Sequence, residues 1–329
     1  MENKLKNSFS GICLYSLFFI GNTIINLPLK EYTKGSIIGF LVAFLLGFIV
    51  ILRLNSISFN PKNSFTAKTI YLFLCLYSLL CGIVTLRNFV TFSDRIILPE
   101  ISGFFPTLLF LILVWFLCRK DEKVILKLSF ISFIAISVMV ILLFVFSLKF
   151  LSFDFLNEKM PTLKEIGYQS LAYFSMSFIQ SVIIFGFLKK EKSSLLGGYI
   201  IGGAFLFLTL IQCVATFGFS SLNNLLNPYS SAVGIITFGD KFSRLEGFSY
   251  FIYFACTLFK TVIALKSAKN FFGATFKRCE KFFLPVSLLV YLLISVFTNI
   301  FINIPFITIA PFLCIPPIIF LLLPKKLYS

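Results

Sequence analysis

Residues 7–29 contain no Asp, Glu, Lys or Arg, and the same holds for 35–52, 69–86, 101–118, 128–148, 166–188 and 282–324. A bilayer's hydrocarbon core, about 30 Å thick, is crossed by about 20 apolar residues of helix. Each run is near that length, and the last is long enough for two crossings. In hydrocarbon every backbone N–H and C=O must find its partner inside the chain, and helices do this within one segment. The pattern therefore predicts an all-α, polytopic membrane protein.

Ten helices are predicted, over 8–28, 35–53, 67–88, 102–119, 126–148, 166–188, 195–218, 244–266, 282–303 and 305–324. Together they form one transmembrane domain, 1–329, and no segment has the composition of a separate soluble domain. Pro305 separates the last two, since proline breaks a helix. The apolar run after Lys4 and Lys6 is long, lacks a small-residue cleavage site and ends at Leu27-Pro28, so it reads as a retained helix and not a leader.

The net charge of +16 would suit a nucleic-acid binder, but its distribution argues against that partner. Nineteen Lys and Arg fall in segments on one side of the predicted spans, nine on the other, and Lys260 lies inside a span. Basic excess marks the cytoplasmic side, which places both termini in the cytoplasm and requires an even number of spans. The longest outward segment, 219–243, is long for a bare loop and is expected to hold a short surface helix or a lid.

Several chemistries lack their residues. The chain has no His, so histidine triads, histidine metal sites and imidazole relays are excluded. No carboxylate lies mid-span, which removes paired-acid catalysis and carboxylate proton relays. The eight Cys form no CxxC pair and read as small buried hydrophobes. An enzyme is not expected, and neither a metal nor a cofactor is called for.

Three features carry possible function. In the first predicted helix, Gly21, Asn22, Thr23, Asn26 and Pro28 fall within eight residues. That composition fits a broken helix presenting backbone groups to a ligand, and equally an ordinary Pro-terminated helix with small packing residues. The sixth carries Tyr173, Ser175, Ser177, Gln180 and Ser181, facing either a cavity or neighbouring helices. Lys260 either snorkels to the nearer surface or stands as a fixed ammonium where a related transporter would bind Na⁺. As a structural cation, it would be met by carbonyls freed by unwinding near Gly21. Ten spans also permit a five-plus-five inverted repeat, pairing the first helix with the sixth.

Residues 18–28, Phe-Phe-Ile-Gly-Asn-Thr-Ile-Ile-Asn-Leu-Pro, resemble the first helix of spore germination permeases, the B subunits of nutrient germinant receptors. Residues 236–260 resemble that family's eighth-helix entrance, with Arg244, Leu245, Glu246, Phe259 and Lys260 matching as they stand. Leu86-Arg87 and Ile97-Leu98-Pro99 are similar more loosely. Thr23 stands where the family has a second Gly, Tyr253 where a Trp is usual, and Gln180 or Ser181 nearest to a frequent Glu.

The family is a branch of the amino acid–polyamine–organocation transporters. The resemblance implies an inner-membrane protein of the spore that senses a small nutrient, an amino acid foremost. It would assemble with a membrane subunit bearing a soluble domain and with a lipoprotein subunit. An autonomous amino-acid permease and a ligand-free scaffold subunit are the alternatives. The ligand pocket is expected near the bilayer midplane between the first, third, sixth and eighth predicted helices. Its lining would be Gly21, Asn22, Thr23, Tyr77, Ser177, Gln180 and Tyr253, with Lys260 as structural cation and Pro28, Arg244 and Glu246 as family motif.

Overall fold

The structure is a computed structural model. It describes residues 2–25, 32–55, 65–94, 104–154, 160–188, 193–225, 227–236 and 246–297. The helices are α1 (Glu2–Ile25), α2 (Lys34–Asn55), α3 (Phe65–Phe92), α4 (Phe104–Arg119), α5 (Glu122–Ser147), α6 (Leu163–Phe187), α7 (Ser193–Leu222), α8 (Pro228–Gly234), α9 (Glu246–Thr275) and α10 (Glu280–Phe297). No strand occurs among the described residues. Nine of the ten predicted spans correspond to helices, and the tenth, 305–324, lies outside the described residues.

α2, α3, α5, α6, α7 and α9 are each long and apolar enough to cross a membrane. Their burial separates two roles. Of the apolar window of α6, 88% is buried, and of α9, 72%; for α5 the share is only 22%. Ile131, Val138 and Leu142 on α5, Leu45 and Ile49 on α2, and Ile112 and Phe116 on α4 are exposed, as a lipid-facing surface requires. The interior helices are therefore α6 and α9, joined by α1, whose residues 10–21 are all buried except Ile12.

The most extensive interfaces join α3 to α9, α1 to α7 and α2 to α6. Exchanging the first span with the sixth and the second with the seventh converts the α1–α7 pair into the α6–α2 pair. That is the relation a five-plus-five repeat demands, and it appears in packing where no sequence identity links the halves.

Small residues set the closest of these contacts. At Gly198 a Cβ would lie 2.4 Å from the Tyr15 Cβ and 3.0 Å from the Ile12 carbonyl oxygen. At Gly202 it would lie 2.7 Å from the Phe19 Cβ and 3.1 Å from the Ser16 Cα. Close backbone approach through small residues replaces the hydrophobic effect as the source of helix association in lipid. Tyrosines use the same space elsewhere. Tyr199 donates to the Phe44 carbonyl at 2.9 Å above Gly47, and Tyr291 donates to the Leu79 carbonyl at 2.9 Å above Gly82.

The structure decides one open reading and corrects one expectation. Of the two readings of the first helix, the continuous one holds over the described residues: backbone 21–25 is helical. The departure from helix falls on α7, at Gly218, whose φ of 67° and ψ of 169° suit glycine almost alone. A kink there frees a carbonyl one turn earlier, and Ala215 O duly accepts from Ser152 N at 2.8 Å. The corrected expectation concerns 219–243. Its helix, α8, is not on the surface: Pro228, Tyr229, Ser230, Ala232 and Val233 are buried, and it packs on α1, α5, α7 and α9. Asn227 caps it by accepting from Ser230 N at 3.1 Å, with Pro228 in the first turn.

Candidate functional site

Lys260 lies at the junction of α1, α3 and α9. It is 8% exposed, and its Nζ stands 5.4 Å from the centroid of the Phe18 ring on α1. Cys81 on α3 and Cys256 on α9 lie within its electrostatic reach. The ring face supplies a negative quadrupole to a desolvated ammonium.

Two turns away on α9, Tyr253 is 1% exposed and stacks on Phe92 of α3, with centroids 3.9 Å apart and planes at 21°. Tyr71 and Phe271 stack farther along the same pair, at 6.2 Å. These two stacks fix an antiparallel register, and they separate two predicted lining residues. Tyr77 is fifteen residues from Phe92 on α3, about 22 Å along the helix axis. It therefore lies toward the Lys/Arg-rich end and does not neighbour Tyr253.

The polar side chains of α6 divide by partner. Ser170, Ser175, Ser177 and Ser181 each donate to a carbonyl three or four residues back, at 2.6–3.0 Å. Hydroxyls that return to their own helix need nothing else in an apolar setting. Because the Ser181 proton is committed in this way, the 2.6 Å contact between Ser181 Oγ and Tyr15 Oη has Tyr15 as donor, which ties α1 to α6. Ser177 also lines a crevice with Phe19, Phe40, Phe44, Tyr173 and Tyr199, of about 10 Å³, room for about one water. The Gln180 Oε1 is buried and has no hydrogen-bond partner among the described residues.

The remaining predicted residues divide as follows. Gly21 is buried in helical backbone, and Asn22 and Thr23 continue that helix. Glu246 is the first residue of α9. Pro28 and Arg244 lie outside the described residues. α1, α3 and α6 all pack on α9, so the predicted helices do meet.

Sequence reasoning missed Gln212 on α7 and Tyr229 on α8, both 0% exposed and both carrying polar atoms without a partner among the described residues. The signals were present. Gln212 is a lone primary amide in an apolar span, and Asn227-Pro228 is a helix-start pair.

At the mouth of this interior, just beyond α3, Asp94 has its Oδ1 buried without a partner among the described residues. Desolvation holds its carboxyl above the ordinary aspartate range. The folded protein thus binds this proton more tightly than the unfolded chain. The resulting penalty is absent below the ordinary pKa of about 4, grows as pH rises, and is complete above the raised value. Asp94→Asn should therefore raise the unfolding temperature of detergent-solubilised protein at neutral pH, with the gain vanishing near about pH 4. A gain that is constant with pH would assign the effect to something other than the carboxyl charge.

A family model described as spore germination protein matches residues 7–300, which takes in every described helix except the first five residues of α1. No curated protein matches the chain. With a match over most of its length and six apolar helices of spanning length, the chain belongs to the spore germination protein family and is an integral membrane protein with a role in germination.

Proposed function

We propose that the chain is the membrane-embedded B subunit of a nutrient germinant receptor, sensing a small nutrient, an amino acid foremost, in a transporter-like chamber between α1, α3, α6 and α9. The observation that carries this reading is a polar interior inside an apolar shell. Gln180 has a buried oxygen with no partner among the described residues, on the most buried of the six apolar spans, and a buried cation stands at the α1–α3–α9 junction. The family match supports the setting. In this reading the chain binds and does not catalyse. It assembles with a membrane subunit bearing a soluble domain and with a lipoprotein subunit. It resides in the spore's inner membrane with both termini cytoplasmic, an orientation supported by the nineteen-to-nine split of basic residues.

Two measurements test the proposal. In an assembled receptor, Asn22→Leu with Gln180→Leu should raise the half-maximal germinant concentration by roughly tenfold or more. An unchanged concentration dependence would move the site elsewhere. Proteoliposomes containing this chain alone should take up no labelled amino acid, and uptake would favour an autonomous permease. Orientation is read separately, with a cysteine probe at the exposed Asn224, which should be labelled from outside.

A further inference from the structure

α10 packs on α3, α4 and α9 and leaves a groove of about 320 Å³ between itself, α3 and the end of α9. That volume falls at the lower end of the range of small-molecule sites, about 300–1,000 Å³. Leu79 and Ile83 of α3, Phe272 of α9, and Phe283, Val286 and Tyr291 of α10 line it. The two hydroxyls in the lining are already committed. Tyr291 donates to the Leu79 carbonyl at 2.9 Å, and Ser287 donates to the Leu284 carbonyl at 3.0 Å. The groove thus offers a guest apolar contact and almost no hydrogen bonding. It opens outward, since Phe282 and Val286 in its lining are 71% and 59% exposed.

One end of the groove carries charge. The short 3-10 turn Lys277–Cys279 and the first turn of α10 stand there, and Cys279 lines the groove. Lys277 and Lys281 are both exposed. The acidic residue between them, Glu280, has its carboxylate beside Gly273 and paired with Lys269 at 3.6 Å. Its charge is matched there, which leaves the two lysines as positive charge beside the groove.

We propose that this groove holds an acyl chain of an anionic phospholipid from the surrounding bilayer, with the lipid phosphate at Lys277 and Lys281. Basic sites between membrane helices on the cytoplasmic side take lipid headgroups in this way. The match is one of charge as well as shape: an apolar slot ends at a cationic rim, as an acyl chain ends at an anionic headgroup. A polypeptide fits the rim less well. The chain's own last predicted span, 305–324, ends on Lys325-Lys326, which carry the sign of the rim. The inference goes beyond the receptor reading. It concerns the outer face of α10 and not the chamber, so either can fail alone.

The test uses the full chain, purified and delipidated in detergent. It is titrated with dioleoylphosphatidylglycerol or with dioleoylphosphatidylcholine, which share their acyl chains and differ in charge. The anionic lipid should raise the unfolding temperature by at least about 2 °C more than the zwitterionic one. Lys277→Gln with Lys281→Gln should abolish that difference. Lys123→Gln with Lys127→Gln, exposed positions on α5, should preserve it. In a second measurement, phosphatidylglycerol with a photoreactive diazirine on one acyl chain should crosslink to peptide 279–291. Val286→Trp fills the groove from an exposed position and should lower that crosslink by roughly fivefold or more.

Equal stabilisation by the two lipids overturns the inference. So does a loss in the Lys123/Lys127 variant as large as that in the Lys277/Lys281 variant, which would assign the effect to surface charge at large. Crosslinks recovered in 305–324 and absent from 279–291 would mean that polypeptide covers the groove, and would overturn it as well.

Discussion

Gly198→Val should leave little folded protein in the membrane. The substituted Cβ alone would sit 2.4 Å from the Tyr15 Cβ and 3.0 Å from the Ile12 carbonyl oxygen. The first neighbour is the root of a fully buried side chain and the second is backbone, so neither can swing aside. The Ser16 Oγ also contacts the Gly198 carbonyl at 3.2 Å, and separating the helices breaks that bond. Ordinary overpacking costs about 1–3 kcal/mol, and here the cost should lie at or above the top of that range. Tyr15 also donates to Ser181 on α6, so displacing it disturbs a second interface. Gly247→Val is the control: a Cβ there meets nothing within 4 Å. Membrane abundance and the elution profile in detergent should separate the two variants, and equal abundance would mean that α1 and α7 can move apart freely.

The existence of the helices was legible in the sequence because lipid leaves a charge-free span few alternatives. Their ends were not. α9 continues to Thr275, nine residues past the predicted 266, and carries Lys269 in helix. Charges were read as loop, yet a helix emerging into water keeps its hydrogen bonds and exposes its charges at no cost. Lys269 pairs with Glu280 at 3.6 Å, and Lys266 donates to the Lys120 carbonyl.

The helix-breaking composition of residues 21–25 left a broken and a continuous helix equally open for a related reason. Propensity is a weak prior that tertiary packing overrides, and the preceding turns of α1 are held along their length by α7. Glycine alone carried no more information, since Gly198 packs and Gly218 kinks within one helix. Partner choice between helices has no period in a single sequence. Thus Tyr77 and Tyr253 shared a plausible list but not a place, whereas Lys260 and Phe18 meet across two helices with nothing in the sequence to pair them.

Reversing the charge at position 260 should cost the most of any change in the interior. Lys260→Glu would place a carboxylate, 8% exposed in the parent side chain, beside the Phe18 ring that the ammonium approaches at 5.4 Å. The ring face attracts a cation and repels an anion. Cys81 and Cys256, which lie within reach, offer a carboxylate no positive charge. A buried charge stripped of compensation costs about 3–5 kcal/mol, enough to remove most of the folded population of a marginally stable protein. Lys260→Arg keeps a cation that can lie flat on the ring and should retain most of the abundance. The ratio of the two variants therefore measures the sign preference of the junction, independently of side-chain volume. If Lys260 snorkelled to the Lys/Arg-rich surface, glutamate would reach water by the same route, and both variants would accumulate alike. A deficit confined to glutamate, read in membrane abundance and in unfolding temperature, is the result expected of a fixed cation holding α9 to α1.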